Sequence, residues 1–115
     1  MSQRPEVDMQ LPAKCFVHHV LFWLRDPGSA EDRAALVRGI ETLRAIEVIR
    51  GLHIGVPAAT GARAVVDDTY SVSELALFDD AGAEAIYQDH PVHQAFIRDY
   101  GSLWSKVVVF DSVGD

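Results

Sequence analysis

The chain has 115 residues, 49% of them hydrophobic and 23% charged, and a net charge of −7. That length suits one domain with one core, in the composition range of an ordinary globular protein. The negative balance, without any run of five like charges, argues against nucleic acid as a partner, because phosphate binding needs clustered Lys and Arg.

Cys15 is the sole cysteine, which excludes an intrachain disulfide and a cysteine-rich metal site. It reads as a small apolar residue at the start of a strand rather than as a nucleophile. The longest apolar stretch, Val20 to Leu24 with Phe16 and Val17 nearby, is far short of the ~20 residues a membrane helix needs. Met1 to Lys14 has no apolar core of the signal-peptide kind, so a cytoplasmic location and no membrane partner are expected. With two prolines and no periodicity, residues 1–14 read as a disordered or loosely ordered arm, leaving 15–115 as the domain.

Phe16 to Leu24 is the first expected strand. Its period of two puts Phe16, His18, Val20, Phe22 and Leu24 on one face and Val17, His19, Leu21 and Trp23 on the other. Both faces are largely apolar, so both need covering. Asp26-Pro27-Gly28 is a turn, after which Ser29 stands as an N-cap with Asp32 as the capping-box acid. Leu36, Ile40 and Leu43, widened by Val37 and Ile46, form the buried stripe of a helix that Gly51 is expected to end. Leu52 to Val56 is a short second strand, and Pro57 to Asp68 an exposed loop.

A third strand is expected from Tyr70 to Phe78, with Tyr70, Val72, Glu74, Ala76 and Phe78 on one face. Asp79 or Asp80 can cap the next helix, which runs to about Asp89. Pro91 then opens another helix at the position where its missing N–H costs nothing. That helix carries Val92, Phe96 and Leu103 as its stripe, flanked by His93, Ile97 and Tyr100, with a kink or early end at Gly101. Lys106 to Phe110 is the fourth strand. The order β-α-β-β-α-β, with the second crossover in two helical pieces, predicts an α+β ferredoxin-like fold with an antiparallel four-stranded sheet.

Four features carry a family resemblance: His18 in HHVLFWL, Gly51 before the second strand, Tyr70 opening the third, and Tyr87-x-x-His90-Pro91-x-His93. From Val17 to Val113 the chain resembles the stress-responsive A/B barrel (Dabb) domains. The resemblance implies a homodimer in which two four-stranded sheets close a barrel with the helices outside. It would also cover the second face of the first strand. Most such proteins have no known reaction, and one plant relative is a polyketide cyclase that works without a cofactor. Its cavity residues correspond here to His18, Tyr87 and His93, the candidate catalytic residues. It also uses a tyrosine in its first helix, which this chain lacks.

Tyr70, Glu74 and His90 are the candidate ligand-binding residues. Imidazoles titrate near neutrality, so His18 and His93 could act as an acid–base pair; equally, they could only bridge helix and sheet. His90 precedes Pro91 and could cap the helix that follows, or hold a metal with His93 at i, i+3, although no metal and no cofactor is expected. Glu74 stands where relatives have an apolar residue. A buried carboxylate needs a partner, so Glu74 lies either in a polar pocket or at a sheet edge.

The function expected is a small organic ligand bound in a helix–sheet cavity, with cofactor-free cyclase, lyase or isomerase chemistry on it. The alternatives are a non-enzymatic stress or assembly protein and, by fold analogy, a cofactor-independent monooxygenase. A cavity beside His18, Tyr87 and His93 of roughly ~300 Å³ or more would favour ligand binding; filled space would favour the structural protein.

Overall fold

β1 (Phe16–Leu24) alternates strictly between buried and half-buried residues along its whole length, the pattern expected of a strand covered by helices on one side only. A computed structural model describes residues 11–115. Within them, β1 is followed by α1 (Ala30–Glu41), β2 (Gly51–Gly55), β3 (Val72–Phe78), α2 (Ala81–Asp89), α3 (Pro91–Tyr100) and β4 (Trp104–Val113). The sheet order is β2-β3-β1-β4 and every pairing is antiparallel. This is the expected α+β ferredoxin-like fold. Most of the arm, residues 1–10, lies outside the described residues; residues 11–14 are exposed and form neither helix nor strand.

The helix signals act locally. Ser29 accepts the Asp32 N–H at 3.0 Å, while its own N–H goes to the Asp26 carbonyl, so only half of the capping box forms. Asp80 accepts the Ala83 N–H at 2.9 Å and starts α2. The expectation for Gly51 is overturned: α1 ends at Glu41, a 3₁₀ turn follows over Thr42–Ala45, and Gly51 is the first residue of β2. Its role is packing, because a Cβ there would sit 3.2 Å from the Leu77 side chain on β3. Gly39 serves similarly in α1, where a Cβ would meet the Tyr100 ring of α3 at 2.7 Å. Two strands also differ in extent: β3 starts at Val72 rather than Tyr70, and β4 extends beyond Lys106–Phe110 at both ends.

The core lies between the sheet and the helices. Phe16, Val20, Phe22 and Leu24 from β1 meet Val72, Ala76 and Phe78 from β3, Leu36 and Ile40 from α1, Tyr87 from α2 and Phe96 from α3. Helix cover stops short of β4, where Val107 and Val109 are 44% and 45% exposed. The other face of the sheet carries no helix. Register places Val17, His19, Leu21 and Trp23 of β1 there, beside Leu75 and Leu77 of β3, Val108 and Phe110 of β4, and His53 of β2. No helix among the described residues is long and apolar enough to cross a membrane.

Candidate functional site

Three elements converge where α2 and α3 cross the β1–β4 side of the sheet. β1 presents His18, which follows Phe16 and precedes Val20 on the helix-covered face. α2 presents Tyr87 in its last turn, and α3 presents His93 in its first turn, two residues after Pro91. The His18 and Tyr87 rings are 5.5 Å apart, and those of Tyr87 and His93 are 4.6 Å apart. Together with Glu74 they line a cavity of about 170 Å³ whose remaining wall is mostly apolar: Val20, Phe22, Phe96, Ile97, Trp104, Val107 and Val109, with Gln88 beside them. The volume falls below the ~300 Å³ mark for drug-sized ligands, yet a dry cavity of roughly 150 Å³ can take a benzene-sized molecule.

Each polar group in the cavity is held by a specific partner. His18 is 4% exposed, and its Nδ1 lies 2.7 Å from Asp111 Oδ1. A carboxylate can only accept, so Nδ1–H donates and the neutral ring keeps its lone pair on Nε2. Tyr87 donates its hydroxyl to Glu74 Oε2 at 2.8 Å. Burial, with the adjacent carboxyls of Glu74 and Glu84, pushes the Tyr87 phenol far above its ordinary range, so it serves as a donor and not as a base. Burial likewise raises Glu74, opposed by the Tyr87 hydrogen bond and by His18. His93 goes the other way: burial and then His18 lower it, while a contact with the Gln88 backbone acts against them.

The sequence-chosen residues therefore divide. His18, Tyr87, His93 and Glu74 share the cavity. Glu74 is no edge residue, since β3 is an interior strand and Glu74 is paired with Val20 on one side and Ile54 on the other. Tyr70 is not part of this cavity. It precedes β3, packs its ring against Trp23 at 6.5 Å, and borders a separate loop hollow with Arg33 and Thr69. Trp23 stands on the helix-free face, so Tyr70 is on the far side of the sheet from His18. His90 is also outside: its Nδ1 accepts the Val92 N–H at 3.1 Å as the cap of α3, and its Nε2 lies 3.4 Å from Glu47. That engagement leaves the His90–His93 pair no shared metal position.

Asp111 is the residue that sequence reasoning passed over. Its signal was register: extending the fourth strand by one residue places it directly opposite His18. Among the described residues, one group could hold a metal ion: His18, Glu84 and Asp111, whose ligating atoms lie within 4.8 Å of one another. The hydrogen bonds from His18 to Asp111 and from Gln88 to Glu84, at 2.7 Å each, already occupy these carboxyls.

No curated protein matches this chain significantly. Many solved structures share its fold. A Dabb family protein with a ferredoxin-like fold from Mesorhizobium loti is 24% identical, with a TM-score of 0.71 over 87% of this chain and 96% of that one. A dimeric ferredoxin-like protein of unknown function from Thermobifida fusca is 18% identical, with a TM-score of 0.72 over 95% and 99%. A hydroxynitrile lyase from Passiflora edulis is 16% identical, with a TM-score of 0.72 over 90% and 96%. At these identities the likeness speaks for the fold alone. The family model for the stress responsive A/B barrel domain matches residues 16–113, and the chain accordingly belongs to the stress responsive A/B barrel domain family.

Proposed function

We propose that this chain forms a homodimeric α/β barrel whose helix-side cavity binds a small, partly apolar organic molecule and carries out cofactor-free acid–base chemistry on it. The carrying observation is the gathering of His18, Tyr87 and His93 on one otherwise apolar cavity, with His18 held in a single tautomer by Asp111. In this reading His18 Nε2 takes a proton from the ligand and either returns it at a second ligand atom or passes it to His93, while the Tyr87 hydroxyl, donated to Glu74 Oε2, fixes the cavity wall between the two imidazoles. Lowered by burial, His93 is neutral at pH 7 and can accept or relay a proton. Lyase, cyclase and isomerase reactions that move a proton can run on such a pair. The similarity in fold to a hydroxynitrile lyase supports placing a lyase among them.

The homodimer rests on the helix-free face, where Leu21, Leu75, Val108 and Phe110 form an apolar surface, and on the dimeric relative of the same fold. Light scattering at micromolar concentration tests it, and a monomer would sink the barrel. For the cavity, ¹H–¹⁵N spectra recorded during titration with benzene-sized compounds should move resonances of Phe96 and Trp104. Shifts confined to the helix-free face would count against the site.

A second reading has one observation behind it. The cavity's modest volume and the burial of Tyr87 to 1% exposure suit a non-enzymatic stress or assembly protein in which these side chains fill space between helix and sheet. Absence of any binding in that titration would favour it.

A further inference from the structure

Glu74 is the one carboxyl lining the cavity, and acid–base chemistry by the two histidines leaves it unused. It is 1% exposed, and Tyr87 occupies its Oε2. No other hydrogen bond to its carboxyl forms among the described residues, and none of their fully enclosed side-chain oxygens lacks a partner. Oε1 therefore opens to the cavity that Glu74 lines. No Lys or Arg lines that cavity to neutralise it, while Phe22, Phe96 and Trp104 offer aromatic surface. A buried carboxyl with one free oxygen and no cationic partner in the protein calls for a cationic partner in the ligand.

We propose that Glu74 is the specificity determinant of this pocket and that the ligand is a small amine, its ammonium bonded to Glu74 Oε1 and its apolar body lying against Phe22, Phe96 and Trp104. This rests on the cavity reading given above and names its ligand class. The charged groups around Glu74 are consistent with it: His18 from β1, Tyr87 and Glu84 from α2, and His93 from α3. Apart from the histidines, these groups are acidic or neutral, so an ammonium meets attraction on entry. Aromatic faces favour an organic cation further.

Binding also moves a proton in a defined direction. Burial favours the neutral acid in the empty protein. An ammonium ion arriving beside it favours the carboxylate, so the Glu74 proton leaves to solvent as the ion pair forms. Charge balances: a neutral acid and an ammonium give a carboxylate, an ammonium and one released proton.

Calorimetry on the full-length protein with benzylamine, benzyl alcohol and benzoate tests this, the three probes differing only in the head group. Benzylamine should bind about tenfold or more tightly than the alcohol, benzoate should bind weakest, and Glu74→Gln should bring the amine and the alcohol to within about threefold. In buffers of different ionisation enthalpy, the wild-type protein should release protons with benzylamine, rising towards about one as pH falls. That readout needs no variant. Equal binding of amine and alcohol, or amine binding without proton release, overturns the assignment while the cavity stands. No binding by any of the three overturns the assignment and the cavity reading together.

Discussion

The two faces of this sheet use the same strands and much the same residue types, yet they solve opposite problems. On the helix-covered face, Phe16, Val20, Phe22, Val72, Ala76 and Phe78 vanish into a core, and the polar groups among them are each tied to one partner. On the other face, Val17, Leu21, Trp23, Leu75 and Leu77 have no helix over them and are only half-buried, and Phe110 is 60% exposed. Polar groups there are met casually: the Trp23 indole N–H reaches the Thr69 hydroxyl at 3.0 Å, and Lys106 lies 4.5 Å over the Trp23 ring. A face whose apolar residues lack cover but whose rings are held in place is prepared for a second sheet. The helix-covered face has a core complete except for the one cavity beside His18, Tyr87 and His93.

The largest effect should come from breaking the open face. Trp23→Glu places a carboxylate in the surface proposed for the dimer, where desolvating an unpaired charge costs several kcal/mol. Sedimentation or light scattering should show monomer at concentrations where the parent is dimeric. A dimer unaffected by the change would mean that the helix-free face is not the interface.

Next in size is Tyr87→Phe. The substitution preserves the ring between His18, Phe78 and His93 but removes the donor that satisfies Glu74. Leaving a buried acceptor without its partner costs about 1–3 kcal/mol, which in a domain of this size appears as a melting temperature several degrees lower. Pairing it with Glu74→Leu should recover much of that loss, since both polar partners are then gone. Additive losses in the double variant would show that the two groups do not act as a pair.

Two of the shifted groups of the cavity, Glu74 and His93, should also bend the stability profile in opposite senses. Glu74 titrates higher in the folded protein than its ordinary value of 4.5, so above 4.5 the native state holds a proton that the unfolded chain has released. Stability therefore falls as pH rises from 4.5 through the folded value. His93 titrates lower than 6.5 when folded; below 6.5 the unfolded chain takes up a proton that the native state refuses, so stability falls as pH drops through that window. Glu74→Gln should abolish the first slope and leave the second, and denaturant melts at several pH values read both. An unchanged profile in the Gln variant would place Glu74 in contact with bulk water.

The His93→Ala change separates packing from use. His93 is half-buried, and its polar contact is with the Gln88 backbone rather than with a buried core group, so its removal should leave the melting temperature within a few degrees. Any ligand turnover or binding should be lost. A core histidine would instead cost ~2 kcal/mol or more, and large destabilisation with binding retained would reduce the His-Pro-x-His segment to a fold signature.

What the sequence disclosed follows from where the physics is local. Alternation in FVHHVLFWL set both faces of β1 correctly, and Ser29, Asp80 and Pro91 marked the helix starts, because caps and periodicity act over a few residues. Gly51 misled because a glycine after an apolar stripe looks like a helix end. Here it lets the Leu77 side chain approach, which depends on a strand more than twenty residues away. Tyr70 misled because extrapolating period two back beyond Val72 assumes a strand where the chain has already turned. Asp111 was missed for a related reason: its importance is its register opposite His18, and a strand ended at Phe110 never reaches it. Glu74 stood out by residue type alone, but only the tertiary structure supplies its partner on α2.

His90 gives the smallest effect and the sharpest separation between motif and pocket. It sits three residues from His93 in the same short segment, yet its Nδ1 caps α3 by accepting the Val92 N–H. Removing an N-cap acceptor costs about 0.5–2 kcal/mol, so His90→Ala should lower the melting temperature by a few degrees. Asn is among the best caps, and its side-chain oxygen can take the same N–H, so His90→Asn should recover most of that loss. Neither variant should change binding of a cavity probe, because the His90 imidazole faces Glu47 and the helix start rather than the cavity. A loss of binding in His90→Asn at parental stability would put His90 back among the ligand contacts. Stability that fails to return with Asn would mean that the His90–Glu47 contact, and not the cap, is what holds the junction between α2 and α3.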